Sequence, residues 1–595
     1  MGGEKHVEPS GRDEERSTIP LLLSAREHTT NDAVVGVWIL EAGGWPVSPS
    51  SAPGDETALP AQTWGVLVVT ALAVGIAARG AFLWWSPLPA TLDGFRYARL
   101  AKHVVTTGNL LGSGVESDEL VTTLVLAVGS EVTGMRPLYL AQPLAAVIGG
   151  ASVLAGIVLV RGLGRARGWT SRRTFHASLL AALGLAVSGM YLRRTGVPDE
   201  ETLTLLLLPL FALAAHRALS SRRPAWGALA MALAVVYPPT HNMSALVAAF
   251  TLTGLATIHV LQATSRRDVL VSLAAGGAFW GYFFGYFIVV EWLGLQLTYS
   301  GLVRDHLGAL LAWLVVLVIA TLWIRTTSPR AIRTLFGVGI GIGFLAAAAN
   351  LVTTVFPGTI RTPPLILGLV ALYIVPVALF AWALPTVVRT DGDTPAVVAL
   401  VMGPIALGWF AFSTSLTPEF FGAVMRVQVH AHIAVFVLAA VGAVGIASRQ
   451  PRGRHALVGA LVVATVLSAP FAFVHIDTAT APRTVHDSEF AAVGFASTPG
   501  IYASDHRLSR VAPLYYGRNG TLAPTRAWLD GAKPPACPTL AQRSWTTDGA
   551  HFFPTAPKTL APSRYREWKA TGDLVYSANG YTESVVVRTQ SGRPC

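Results

Sequence analysis

Charged residues are scarce in this 595-residue chain. Asp, Glu, Lys and Arg make up 13% of it, whereas apolar residues make up 52%; soluble proteins carry about 25% charged residues. Runs of about 18 or more apolar residues recur, and each is long enough to cross a hydrocarbon core of about 30 Å. This composition excludes a soluble multidomain enzyme, a disordered protein and a collagen-like fibre. It predicts a polytopic α-helical membrane protein.

Cysteine is almost absent as well. The two cysteines, Cys537 and Cys595, lie in the polar C-terminal region and form neither a C-x-x-C pair nor a Cys/His zinc pattern. A zinc site built on cysteine is therefore excluded. If the region is exported, the two residues can form a disulfide. Otherwise they remain free thiols, and the sequence leaves both possibilities open.

Common nucleotide-binding and hydrolase motifs are also missing. The chain has no G-x-G-x-x-G with a following acidic residue, no P-loop, no H-E-x-x-H and no G-x-S-x-G. We also expect no signal peptide, because residues 1–60 are polar and rich in Gly, Pro and Ser, and the first long apolar run starts near Trp64. We expect residues 1–60 to form a disordered cytoplasmic tail.

The apolar runs predict about thirteen membrane-spanning helices. They cover approximately 64–86, 138–160, 175–192, 202–216, 225–238, 243–263, 269–292, 308–324, 332–356, 364–388, 395–412, 426–447 and 456–475. The membrane domain would thus occupy 61–476, with a long first external loop at 87–137. A small extracytoplasmic α/β domain would follow at 477–595.

Basic residues are concentrated in alternate loops between these runs. Arg172 and Arg173 follow the second run, and Arg266 and Arg267 follow the sixth, whereas the intervening loops hold few basic residues. Cytoplasmic loops are enriched in Lys and Arg, so we predict a cell-membrane protein with its N-terminus inside and its C-terminal domain outside. The same bias accounts for the net charge of +11, and no nucleic-acid partner is predicted.

Acidic residues collect on the opposite, external side. Asp93 follows the first predicted span, and Asp199 and Glu201 form a D-x-E pattern just before the fourth. Carboxylate oxygens are the ligands that Mg²⁺ and Mn²⁺ prefer, so these three residues could hold such an ion beside a phosphate. The alternative is structural, because acidic residues are stabilised at helix N-termini by the helix dipole.

Basic residues near the same side could bind a phosphate. Arg426 and His430 lie four residues apart at the outer end of a predicted span, so they share a helix face. An inward-facing arginine there could anchor a phosphate, or it could only snorkel to the interface. Arg96 and Arg99 belong to a predicted amphipathic helix at about 96–108, which would lie at the membrane interface.

These patches together resemble the GT-C superfamily of membrane glycosyltransferases, in particular the catalytic subunit of oligosaccharyltransferase. The family's acidic residue in the first external loop matches Asp93 in LDGFRYARL. Its second-loop pattern matches Arg194-Thr-Gly-Val-Pro-Asp199-Glu-Glu201, and its late helix matches Phe421-Gly-Ala-Val-Met-Arg426. The resemblance implies a divalent metal at the acidic residues and a lipid phosphate at the arginine. Glu419 corresponds loosely to an acidic residue of the family's late external loop.

The family's W-W-D peptide-binding motif is missing, since the only adjacent tryptophans are Trp84 and Trp85 in the first span. The resemblance therefore favours transfer of a sugar, mannose or another hexose, from a dolichyl- or polyprenyl-phosphate donor to a glycan acceptor. Asp93 would be a general base or a metal ligand. Arg426, Arg96, Arg99, Glu419 and His430 would bind the donor. The alternatives are an oligosaccharyltransferase, a lipid-linked sugar flippase or other transporter, and a purely structural membrane protein.

Overall fold

A computed structural model describes residues 59–295, 300–355, 361–390, 392–414, 418–448, 454–473, 485–498, 500–552, 555–580, 583–588 and 595. The tail predicted for residues 1–60 lies almost entirely outside the described residues and stays a prediction. The helices of the membrane region are α1 (Ala61–Gly80), α2 (Leu92–Thr107), α3 (Leu120–Thr133), α4 (Pro137–Ser152), α5 (Leu154–Ala166), α6 (Ser171–Val187), α7 (Gly189–Thr195), α8 (Glu200–Ser221), α9 (Pro224–Val236), α10 (Asn242–Gln262), α11 (Arg266–Trp292), α12 (Ser300–Asp305), α13 (Leu307–Thr326), α14 (Pro329–Ala349), α15 (Pro364–Ala371), α16 (Ile374–Val387), α17 (Thr394–Thr414), α18 (Pro418–Ala447) and α19 (Arg454–Ser468).

The predicted class, a polytopic helical membrane protein, is confirmed. Within the described ranges, eleven helical segments are long and apolar enough to cross a membrane, or twelve if the bent pair α6 and α7 forms one span. The prediction of about thirteen is reached only if α9 crosses as well. That helix has 13 residues, and at about 1.5 Å per residue it is shorter than the hydrocarbon core.

The buried centre of the bundle is formed by α10, α17 and α18. Most residues of α10 and α17 are buried on all sides of the helix, and many of them are Ala, Gly, Ser or Thr. Small side chains let helix backbones approach closely. In lipid, where the hydrophobic effect does not drive helices together, such close packing is what stabilises their association. In contrast, Ile332 is the only buried residue of α14, so this helix lies at the periphery of the bundle.

The C-terminal region contains a mixed sheet, as predicted. Its elements are α20 (Asp487–Ser497), β1 (Tyr502–Ala503), α21 (His506–Val511), β2 (Gly520–Thr521), α22 (Ala523–Leu529), β3 (Thr539–Gln542), β4 (Ala550–Phe552), β5 (Thr555–Lys558), α23 (Pro562–Thr571), β6 (Asp573–Ala578) and β7 (Ser584–Arg588). The strand order is β2-β1-β3-β7-β6, and β4 and β5 form a separate hairpin. Cys537 and Cys595 form a disulfide, so of the two possibilities left by the sequence the structure has the bonded one.

Helix α2 is amphipathic as expected, but its apolar face packs against protein rather than lipid. Leu88, Phe95 and Ala98 share one buried cluster with Val493 and Leu508 of the C-terminal region. The ring of Phe95 also stacks on that of Phe490 at 5.7 Å. The rest of its apolar face packs against α3 and α4. The position of the helix at the membrane interface stays a prediction.

A sharp bend separates α6 from α7, and the buried Arg79 of α1 fills the gap. The two helices meet at 63°, and the last carbonyls of a helix have no partner within it. The Arg79 side chain, which is 0% exposed, donates to the carbonyls of Leu185 (3.4 Å) and Ala186 (3.2 Å) at the end of α6. Its Nε donates to Thr195 Oγ1 at the end of α7 (2.9 Å). One guanidinium therefore fixes both ends of the bend.

Replacing Arg79 by methionine tests this role. We expect Arg79→Met to lower the free energy of unfolding by about 2–4 kcal/mol, because the carbonyls at the bend lose their donors while they remain buried. The measurement is unfolding of the purified protein in detergent. Arg330→Met is the control, since Arg330 is exposed on α14. Equal stability of the two variants would contradict the role of Arg79.

Candidate active site

The start of α2 is attached to the loop that precedes α8. Thr91 is the N-cap residue of α2, and its hydroxyl oxygen accepts the backbone N–H of Gly94 (3.1 Å). The same hydroxyl donates to the carbonyl of Pro198 (3.0 Å). Since Asp93 lies in the first turn of α2 and Asp199 follows Pro198, this bridge brings the two predicted carboxylates to one place.

The contact leaves no room for a side chain at position 94. A Cβ atom on Gly94 would lie 2.6 Å from Cβ of Pro89 and 2.7 Å from Cγ of Pro198. Real Cβ atoms do not approach other atoms so closely, so only glycine lets α2 come this near to the loop. The D-G string at 93–94 and the V-P-D string at 197–199 therefore lie on the two sides of one contact.

Asp199 and Glu201 lie at the N-terminus of α8 between two arginines. Asp199 is the N-cap, and its side chain accepts the backbone N–H of Glu201 (3.3 Å), so the structural role considered for this residue is also present. Arg194 Nη1 lies 3.9 Å from Asp199 Oδ2 and 3.6 Å from Glu201 Oε2. Arg426 Nε lies 3.7 Å from Glu201 Oε1.

Glu201 is the most enclosed carboxylate of this group. Its side chain is 0% exposed, whereas that of Arg426 is 28% exposed. Among the described residues, neither Glu201 oxygen has a hydrogen-bond partner. A buried carboxylate needs a compensating positive charge, and Arg194 and Arg426 supply it from opposite sides. Arg426 therefore reaches from a buried carboxylate towards solvent.

The two aspartates titrate in opposite directions. Crowding by protein and the negative charge of Asp199 raise the pKa of Asp93 to about 6, although its side chain remains exposed to water. Burial alone would raise the pKa of Asp199, but the positive charges of Arg426 and Arg194 outweigh burial and lower that pKa. Neighbouring carboxylates whose pKa values diverge are suited to different roles, one as a proton acceptor and one as a fixed charge.

Glu200 lies between two predicted site residues and has no predicted role of its own, yet it has the most direct contacts. Its Oε2 accepts a short hydrogen bond from the hydroxyl of Tyr97, and its Oε1 lies 3.7 Å from Nε2 of His241. Tyr97 lies one helical turn after Asp93, and His241 is the N-cap of α10. The i, i+4 spacing of Asp93 and Tyr97 was a usable signal, whereas the contact with His241 depends on tertiary packing.

The other predicted residues have different surroundings. Arg96 is paired with Glu116 (2.8 Å) and with both oxygens of Glu119 (2.6 and 2.9 Å). Arg99 donates to the carbonyl of Pro513 in the C-terminal region (3.2 Å). These contacts join α2 to its neighbours, and the donor-binding role of both arginines stays a prediction.

His430 is buried one turn below Arg426, and its Nε2 lies 3.1 Å from Ser244 Oγ. It therefore belongs to the same polar region, beneath Glu201. The side chain of Glu419 lies outside the described residues, and its donor-binding role stays a prediction.

A divalent cation fits this place in charge and donor type. Four carboxylates face two arginines here, and the unbonded oxygens of Glu201 are hard donors of the kind that Mg²⁺ and Mn²⁺ prefer. In the described part of the chain, however, no group of three or more His, Cys, Asp or Glu side chains is arranged to hold a metal ion. A shared ion at Asp93, Asp199 and Glu201 therefore stays a prediction.

Comparison with solved structures establishes what this architecture is similar to. The oligosaccharyltransferase of Archaeoglobus fulgidus in its apo form aligns with a TM-score of 0.50 at 12% identity, over 81% of this chain and 70% of the archaeal chain. The chain has the GT-C fold. The resemblance inferred from the sequence is thus confirmed at the level of fold.

Two further GT-C structures align less well. The archaeal oligosaccharyltransferase AglB from Archaeoglobus fulgidus, in complex with an inhibitory peptide and a dolichol-phosphate, has a TM-score of 0.48 at 12% identity, over 78% of this chain and 65% of that one. ArnT from Cupriavidus metallidurans has 0.36 at 14% identity, over 90% and 99%. No protein-family model matches the sequence, and no curated protein matches it.

The Gly94 contact can be tested directly. We expect Gly94→Ala to lower the free energy of unfolding by about 1–3 kcal/mol, because the added methyl group overlaps Pro89 and Pro198. Gly281→Ala is the control, since nothing lies within 4 Å of a Cβ at that helical position, and alanine there removes only backbone freedom from the unfolded chain. Chemical unfolding of both variants is the measurement. Equal or greater stability of Gly94→Ala would contradict the contact.

Proposed function

We propose that the protein transfers a sugar, mannose or another hexose, from a dolichyl- or polyprenyl-phosphate donor to a glycan acceptor on the outer face of the cell membrane. The observation that carries the proposal is the pairing of Asp199 and Glu201 with Arg194 and Arg426, with Asp93 brought near them by the contact between Thr91 and Pro198. A phosphate leaving group needs positive charge and an acceptor hydroxyl needs a proton acceptor, and both kinds of group are present.

Asp93 has the properties of the general base. It is exposed to water, so an acceptor hydroxyl can reach it, and its pKa of about 6 leaves it ionised at neutral pH but a better proton acceptor than an ordinary aspartate. In the proposed step the acceptor oxygen loses its proton to Asp93 and bonds to the anomeric carbon. The bond between that carbon and the phosphate oxygen breaks, and the lipid phosphate leaves.

Arg426 would bind the departing phosphate. Its guanidinium is held by the buried Glu201 on one side and is partly exposed on the other, so it is preorganised where negative charge develops. Asp199 and Glu201 would hold a divalent cation, and Asp93 would join them as a ligand only in the alternative in which it is not the base. When bound, such an ion supplies charge neutralisation to the phosphate.

Two features support an external location for this site. The disulfide between Cys537 and Cys595 is of a kind that persists in oxidising compartments outside the cytoplasm, and the C-terminal region that carries it packs directly on α2. The arginine-rich loops between the spans also favour the opposite side as cytoplasmic. We therefore infer a multi-pass cell-membrane protein whose site faces outward.

Carboxylate variants of the purified protein test the chemistry. We expect Asp93→Asn and Asp199→Asn each to reduce transfer from dolichyl-phosphate mannose by at least about 100-fold, because a missing general base costs about 10²–10⁴-fold and a missing buried charge disrupts the site. Asp573→Asn, at an exposed carboxylate on β6, should retain full activity. Thermal unfolding checks that each variant is folded. Normal transfer by a folded Asp93→Asn variant would remove Asp93 from the mechanism.

The likeness in fold to an oligosaccharyltransferase over 81% of the chain favours a second candidate, transfer of a complete lipid-linked glycan to protein asparagine. The lack of a W-W-D string in the sequence favours the first.

Glycan analysis in cells separates the two candidates. In a strain lacking the protein, we expect glycans released from glycoproteins and lipid carriers to be one hexose short in mass spectra. The parent strain and a strain re-expressing the wild-type chain are the controls. Complete lipid-linked glycans beside unmodified protein would indicate the oligosaccharyltransferase instead. Unchanged pools would contradict both candidates and favour a transporter or a structural protein.

A further inference from the structure

Each element that carries a site residue also carries a buried or half-buried polar residue close to it. On α2, Tyr97 lies one turn after Asp93. On α8, Glu200 lies between Asp199 and Glu201. On α18, His430 lies one turn after Arg426. The proposed chemistry uses none of Tyr97, Glu200 and His430, so a different role has to account for them.

A continuous set of polar contacts joins these three residues through α10. The hydroxyl of Tyr97 donates to Glu200, and Glu200 Oε1 lies 3.7 Å from His241 Nε2. His241 Nδ1 lies 2.7 Å from Ser244 Oγ, which in turn lies 3.1 Å from His430 Nε2.

Thr204, one turn after Glu200 on α8, adds a second connection. Its hydroxyl donates to Ser244 Oγ at 2.8 Å. Helix α8 is thus tied to α10 at two successive turns.

The hydrogen-bond directions along this set are consistent with each other. His241 Nδ1 accepts the backbone N–H of Ser244 at the start of α10 (3.4 Å), so that nitrogen carries no hydrogen. The hydrogen of the neutral ring then lies on Nε2, which is the nitrogen that faces Glu200. The helix cap therefore fixes the tautomer in which the N–H of the ring is directed towards the carboxylate.

We propose that Tyr97, Glu200, His241, Ser244 and His430 form one positioning network that sets the distance between the proton acceptor on α2, the carboxylates on α8 and the phosphate-binding arginine on α18. The inference rests on the proposed function, which assigns the roles of the groups that the network positions. Its members are positioning residues, because each acts through the helix that carries a reacting group. Tyr97 fixes α2 against α8, and Ser244 and His430 fix both against α18.

The set contains hydrogen bonds at both ends and a charge-to-dipole approach of 3.7 Å between Glu200 and His241. Buried polar groups in such mutual contact favour one arrangement, because a displaced group would be left unsatisfied. Displacement of a reacting group by about 1 Å can reduce a rate by about 100-fold. The network should therefore affect the rate of transfer more than it affects substrate binding.

A double-mutant cycle between the two ends of the network tests the inference. Tyr97→Phe and Ser244→Ala each remove one hydroxyl, the first from the contact with Glu200 and the second from the contact with His241. In the full-length protein, with dolichyl-phosphate mannose as donor, we expect each single variant to lower kcat by about 10-fold with KM changed less than about threefold. The double variant should be no slower than about the worse single variant, because both act through one connected unit.

Matched controls remove a hydroxyl elsewhere. Tyr282→Phe loses a hydroxyl that donates to the carbonyl of Val235, and Ser220→Ala loses one that donates to the carbonyl of His216. Neither should change kcat. Effects of Tyr97→Phe and Ser244→Ala that multiply to about 100-fold in the double variant, or folded single variants with wild-type kcat, would overturn the network.

Hydrogen–deuterium exchange gives a readout that does not depend on activity. We expect Tyr97→Phe, a change on α2, to raise exchange at the first turns of α8 and α10, while Tyr282→Phe leaves both unchanged. If the wild-type protein transfers no sugar from this donor, the proposed function fails, and exchange alone then decides about the network. Unchanged exchange at both turns would overturn the network whether or not the protein is active.

Discussion

The position of the site depends on a single buried guanidinium. The helix is interrupted at Ser188, between the end of α6 and the start of α7. Where a helix stops inside a membrane protein, other groups must donate hydrogen bonds to its last carbonyls. Arg79 provides them with donors and also binds the end of α7. The chain can therefore turn by 63°, and this turn leads Arg194 to the carboxylates of α8.

Close backbone approach holds the turned segment in place. At Gly149 of α4, a Cβ atom would lie 1.8 Å from the carbonyl oxygen of Thr195, so α7 ends directly against the α4 backbone. The site is thus assembled from rigid neighbours rather than from an adaptable loop. Rigid support is what a preorganised arrangement of charges requires, because reorientation during a reaction would weaken its electrostatic effect.

The balance of charges explains why so many polar groups meet here. Two carboxylates of α8 are held beside Arg194 and Arg426, and Glu201 has lost all contact with water. Removing a charge from water is expensive unless partners replace the solvent. The guanidinium groups do so only at 3.6–3.7 Å. At that separation neither Glu201 oxygen has a hydrogen-bond partner among the described residues, so its negative charge is balanced by the two guanidinium groups without direct hydrogen bonds.

Sequence reasoning recovered the parts whose signal is local. The apolar runs predicted the spans, and Asp93, Asp199, Glu201 and Arg426 were selected from short patterns that the fold brings to one end of the bundle. The contacts of Glu200 were missed, because the residues it touches are distant in sequence. For the same reason the pairing of Arg96 with Glu119 could not be predicted: a positive side chain on an external helix has the same local pattern whether it meets a phosphate or a carboxylate.

Helix α2 belongs to two parts of the molecule at once. Its first turn carries Asp93 beside the membrane helices, while Phe95 and Ala98 complete the core of the C-terminal region. A cut near residue 477, where the composition changes, would expose those side chains to water and loosen the helix that carries Asp93. The change in polarity along the chain therefore separates two parts that share a core, and the C-terminal region supports the helix that carries Asp93.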